Sequence, residues 1–124
     1  MTDPHSASSI FPSFPRPFIT ISTRTALLRA HQHFTAHSFT IVSPLHAGAS
    51  LGIEWWLHLT KEVEAPSILD CGASASLAIE ALHKGIEGVV CRDFRAGLPE
   101  NMKGRLFSQR PHETTIPTLI PSQR

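Results

Sequence analysis

The densest group of chemistry-bearing residues in this chain is Asp70-Cys71-Gly72, with Ser74 two positions on. A carboxylate, a thiol and a glycine turn in succession can supply an acid, a nucleophile and backbone N–H groups for a bound anion. Two further groups follow apolar runs in the same way: Ser43, Pro44 and His46, and then Arg92 and Asp93. If the three loops lie on one edge of a sheet, the candidate ligand-binding set is Ser43, His46, Asp70, Cys71, Gly72, Ser74, Arg92 and Asp93. In open parallel sheets that edge, beyond the carboxyl ends of the strands, is where ligands bind.

Each chemistry has a plainer competitor. Gly72-Ala73-Ser74-Ala75-Ser76 has no second glycine in phosphate-loop register and no Lys followed by Ser or Thr. It reads better as a tight strand-to-helix turn capped by Asp70 or Ser74. Cys71 precedes a helix, whose dipole lowers a thiol pKa, and His46 is the candidate base. The neighbouring Asp70 acts in the opposite sense, and no CxxC is present. His31 and His33 point to different faces of one helix, His37 falls at its end, and His58 sits among Glu54 and Glu62. No third ligand is spaced to complete a metal site, so no catalytic residue, metal or cofactor is assigned.

The elements that must position these residues follow from apolar spacing. Ser67–Cys71 reads as a strand between Pro66 and Gly72. From Ala73 to Lys84, Leu77, Ala78, Ala81 and Leu82 recur at helical spacing, and Gly85 suits a left-handed stop. Gly88–Arg92 is the next strand, which makes residues 67–93 a βαβ unit and requires a parallel sheet. Upstream, Phe18–Ile21 is a strand and Arg24 to about Ala36 a helix capped by Ser22 or Thr23. Ser38–Ser43 is a second strand ended by Pro44. Gly104–Ser108 reads as a final edge strand, and Leu98-Pro99-Glu100 as a single helical turn. The expected fold is α/β, a small three-layer or two-layer domain with a mostly parallel sheet of four to five short strands.

Eight of the ten prolines lie outside residues 20–95, which brackets one compact body. Residues 1–17 read as a flexible Pro/Ser-rich arm, with Ile10, Phe11 and Phe14 able to dock on the domain. Residues 18–108 form the single domain and residues 109–124 an extended tail. Net charge is +1 and mean hydropathy −0.02. Arg95, Lys103, Arg105, Arg110 and Arg124 give the C-terminal part a mild positive excess, read as a solvated face or tail. No basic run marks a nucleic-acid binder, and no apolar run marks a membrane span. Cys71 and Cys91 read as reduced core thiols of a cytoplasmic protein.

Gly48–Ala65 is the longest expected helix, apolar over most of its circumference. Ile53, Trp55, Trp56 and Leu57 together exceed what so small a body easily hides, so they are the expected interaction surface, for self-association or a protein partner.

The run Ile68-Leu69-Asp70-Cys71-Gly72, followed by Ala78, Ala81-Leu82 and Gly85, resembles a small α/β family of bacterial proteins with no assigned activity. That resemblance implies a strand–helix ladder ahead of the Leu-Asp-Cys-Gly turn and carries over no functional residue. The expected function is a non-catalytic regulatory or protein-interaction module. The alternative is a small-molecule-binding protein or small enzyme using the strand ends.

Overall fold

A computed structural model describes residues 14–35, 38–93 and 104–113. The described elements, in chain order, are β1 Phe18–Thr20, α1 Arg24–His33, β2 Thr40–Val42, α2 Ala47–Ser50, α3 Ile53–Thr60, β3 Ser67–Asp70, α4 Ala75–His83, β4 Gly88–Val90 and β5 Leu106–Phe107. All four pairings are parallel and the strand order is sequential, β1-β2-β3-β4-β5. Leu69 pairs with Val89 and Asp70 with Val90, so the 67–93 unit crosses over between neighbouring parallel strands. The expected helical turn at Leu98–Glu100 lies outside the described residues.

Successive crossovers of one hand, moving one way across a sheet, place their helices on a single face. The core follows that rule. Ile19, Ile41, Leu69 and Val89 alternate onto the helix face, where they pack with Leu27, Ala30, Trp56, Ala78, Ala81 and Leu82. Their neighbours Phe18, Val42, Ile68, Val90 and Phe107 form a second cluster on the opposite face. Among the described residues the architecture is therefore two-layered.

A parallel sheet normally needs cover on both faces. Here the helix-free face is filled by aromatic side chains. Phe14, from the stretch read as an arm, is 6% exposed and meets Phe107 edge-to-face at 5.7 Å. Its ring also lies over Gly88, where a Cβ would stand only 2.8 Å from Phe14 Cζ. Ile10 and Phe11 lie outside the described residues.

The sheet also curls. Phe18 in β1 forms a parallel bridge with Glu113, although β1 and β5 are opposite edges. In a flat sheet, reaching past β1 from β5 spans five strand spacings, about 24 Å. The six residues from Phe107 to Glu113 extend to about 20 Å at most. The two edges are thus drawn toward each other around the Phe14–Phe18–Phe107 cluster. Described contacts reach Phe14 on one side and Glu113 on the other.

Two helices depart from expectation. The long helix over Gly48–Ala65 is broken into α2 and α3, because Gly52 takes φ 98°, a left-handed conformation that ends one helix and starts another. It stops at Thr60, and Leu51 is left 54% exposed. The first helix ends at His33 rather than Ala36. Phe34 turns extended and stacks on Phe39 at 5.4 Å, which sends the chain back toward β2. Its start is as expected, with Thr23 Oγ1 accepting from Ala26 N at 3.1 Å.

Gly48 is where α2 meets β3. A Cβ there would lie 2.9 Å from the Asp70 carbonyl oxygen and 3.1 Å from Leu69 Cγ. Backbone cannot yield as a side-chain tip can, so Gly48→Ala should destabilise the domain by about 1–3 kcal/mol in urea unfolding. Gly85→Ala has open space at the added Cβ but sits at φ 98°, so its cost should come from backbone strain alone.

Candidate functional site at the strand ends

Asp70 is the last residue of β3, and its side chain falls on the helix-free face, fully buried. Arg92 follows the end of β4, and Arg110 arrives from the segment after β5. Both guanidinium groups converge on the one carboxylate. Arg92 is bidentate, Nη1 donating to Oδ1 at 2.9 Å and Nη2 to Oδ2 at 2.8 Å. Arg110 Nη1 donates to Oδ2 at 2.8 Å, and the Gly72 backbone N–H to Oδ1 at 2.9 Å. Four donors thus occupy the two oxygens, which leaves the group no free acceptor site for a ligand.

Burial by itself pushes the Asp70 carboxyl up. The hydrogen bonds from Arg92, Arg110 and the Gly72 N–H outweigh it and hold the pKa at about 2, below the ordinary 3.8. A carboxylate so held is neither a proton donor nor a proton acceptor near neutral pH.

The network continues to the far edge of the sheet. Arg110 Nε donates to Glu113 Oε2 at 2.8 Å, and its Nη2 lies 2.7 Å from the same oxygen in an ion pair. Thr20 Oγ1, at the end of β1, donates to Glu113 Oε1. Asp70 and Glu113 together offset Arg92 and Arg110, so the cluster is electrically balanced within itself. Its geometry ties β1, β3, the end of β4 and the strap after β5 into one closure.

The remaining candidates join only in part. Ser43 is buried and engaged as a spacer: its Oγ accepts from Asp70 N at 2.9 Å and donates to the Pro44 carbonyl at 3.0 Å. Gly72 takes φ 65°, and Ser74 caps α4 by accepting from Leu77 N at 3.2 Å. The strand-to-helix turn is therefore capped by both Asp70 and Ser74. His46 stands exposed at φ 58° at the start of α2, its ring against Gly72, and forms no side-chain hydrogen bond among the described residues. Asp93 is exposed beyond β4.

The placement of Cys71 is that of a core residue. It is fully buried, and burial, then Cys91, then Asp70 push its thiol up to about 12. Its Sγ lies 3.8 Å from the Leu69 carbonyl, and His46 is not hydrogen-bonded to it. Both cysteines are free thiols within the helix-face core. Neither should react with Ellman's reagent in the folded protein, and both should react at once in denaturant. Rapid labelling of Cys71 without unfolding would contradict its placement.

Three members of the closure carried no usable sequence signal. Arg110, Glu113 and Thr20 are polar residues in ordinary positions, and only the curl of the sheet brings them together. Arg110, read as part of a solvated face or tail, has a side chain only 15% exposed.

The expected interaction surface needs the larger correction. Ile53 is 5% exposed and Trp56 fully buried, its Nε1 donating to Ser67 Oγ at 3.1 Å. Breaking the helix at Gly52 lets α3 turn these two inward. Trp55 and Leu57 remain half-buried and line a groove of about 1000 Å³ in the helix layer. That groove runs to Ser67 and Glu87, at the amino ends of β3 and β4, and touches none of the strand-end candidates.

Fold and site together define a small, singly wound α/β domain whose strand-end polar cluster is satisfied internally. No protein-family model, no curated protein and no solved structure matches this chain. No helix among the described residues is long and apolar enough to cross a membrane.

Proposed function

We propose that this chain is a non-catalytic binding module of regulatory kind, whose working surface is the helix-layer groove rather than the strand ends. One observation carries this reading: the strand-end carboxylate spends both oxygens on Arg92, Arg110 and the Gly72 N–H, while the roomy concavity lies at the other end of the sheet. Concave surfaces with an apolar floor and few polar groups are where ligands are taken up. The groove's floor is built from Trp55, Leu57, Leu59 and Val63, which pack on the core from one side.

Amide chemical-shift mapping during a ligand-library screen separates the two locations. Shifts gathered on residues 55–65 and 85–87 support the groove. Shifts centred on His46, Gly72 and Arg92 would move the function to the strand ends.

Self-association is the second reading, favoured by Leu45 and Leu51, which stand 59% and 54% exposed on either side of α2. Sedimentation equilibrium at high concentration tests it, and a monomer throughout would remove it.

A further inference from the structure

We propose that Cys71 and Cys91 form a redox-modification site, reduced as they stand and closing to an intramolecular disulfide between β3 and β4 when a peroxide is present. Register places the two together. Asp70 is level with Val90 in the parallel pairing of β3 with β4, so the next residues along the two strands, Cys71 and Cys91, lie side by side. Backbone bonds bracket them: the Cys71 N–H donates to the Val90 carbonyl at 2.8 Å, and the Arg92 N–H to the Gly72 carbonyl at 2.8 Å. Both side chains belong to the helix-face core, so they leave the sheet on the same side. Neighbouring strands lie about 4.8 Å apart, and disulfides join Cα atoms about 4.4–6.8 Å apart. The thiols also sense one another, since Cys91 adds to the rise of the Cys71 pKa. Closing the bond costs Cys71 Sγ a weak contact, 3.8 Å from the Leu69 carbonyl.

The chemistry balances with hydrogen peroxide as the oxidant. One cysteine, as its thiolate, attacks a peroxide oxygen. The O–O bond breaks, leaving a sulfenic acid and one water. The second thiol then attacks that sulfur, the S–S bond forms, the S–O bond breaks, and the oxygen leaves as a second water. Two electrons and both thiol protons have passed to the peroxide. Burial of both thiols slows the first step, so conversion should take hours rather than seconds. Cys71 follows Asp70 and Cys91 precedes Arg92, so the new bond backs the bidentate Asp70–Arg92 pair from the other face of the sheet.

The test treats the full chain, native by far-UV circular dichroism, with millimolar hydrogen peroxide overnight and then counts thiols with N-ethylmaleimide in denaturant. Both labels should be lost, the peptides carrying Cys71 and Cys91 should be found joined with two hydrogens missing, and dithiothreitol should restore both labels. The oxidised protein should melt about 5–10 °C above the reduced one, because the cross-link closes a loop of about 20 residues between positions already adjacent. Cys91→Ala, treated alike, should show no such rise. Two full labels after treatment, oxygen adducts on separate cysteines, or a disulfide between two chains would overturn the site. A lower Tm for the oxidised protein would overturn it as well, since it would mean that the folded strands do not hold the pair ready for bridging.

Discussion

Asp70→Ala is expected to cost about 3 kcal/mol of folding stability, with a fall in Tm of about 10 °C. The physical reason is the loss of a buried carboxylate that receives four hydrogen bonds, three of them from two guanidinium groups. The figure is set at the low end for a broken buried ion pair because Arg92's side chain is 33% exposed and can turn to water. Arg110, at 15%, has less freedom to do so, but it keeps its ion pair with Glu113. Asp70→Asn should recover little, since its amide nitrogen would face a guanidinium donor. Glu80→Ala, at an exposed carboxylate 3.9 Å from Lys84, is the matched control and should change stability by less than about 0.5 kcal/mol. Thermal and urea unfolding of the three variants measure the difference.

The second large effect is acid sensitivity. Asp70 has a folded pKa of about 2 against an ordinary 3.8. A carboxyl depressed in the folded state contributes stability that is complete above the unfolded pKa and is lost as pH falls through the folded one. The contribution should therefore be full above about pH 5 and disappear between about pH 4 and pH 2, amounting to about 2–3 kcal/mol. Urea unfolding across that range should show this loss in the wild type and a distinctly flatter profile in Asp70→Asn. Parallel profiles for the two proteins would mean that other carboxylates govern acid unfolding.

Much of the fold was readable because its signals are local. Pro66, Gly72 and Gly85 punctuate the β3–α4–β4 unit, and the spacing of Leu77, Ala78, Ala81 and Leu82 leaves one orientation for α4. The break at Gly52 was not readable, because apolar spacing continues through it from Leu51 to Trp55 and a single glycine is compatible with an uninterrupted helix. With that break missed, Ile53 and Trp56 could not be told apart from Trp55 and Leu57. The strand-end set was legible as a list of residues on one edge, and the parallel register does bring Ser43, Asp70, Gly72 and Arg92 together. Its meaning was not. Whether an Asp–Arg pair awaits a ligand or is already complete depends on Arg110 and Glu113, and these reach it only by the closure of the sheet, 40 residues farther along the chain in the case of Arg110. Side chains that meet through long-range topology leave no mark on spacing.

A double-mutant cycle between Asp70 and Arg110 tests the closure most directly. Urea unfolding of Asp70→Ala, Arg110→Ala and the double variant should give a coupling energy of about 1.5–3 kcal/mol, because the strap after β5 and the centre of the sheet hold each other through this contact. Effects that add to within about 0.5 kcal/mol would show that the two residues stabilise the domain independently, and the strand-end cluster would then no longer stand as the clasp that closes the fold.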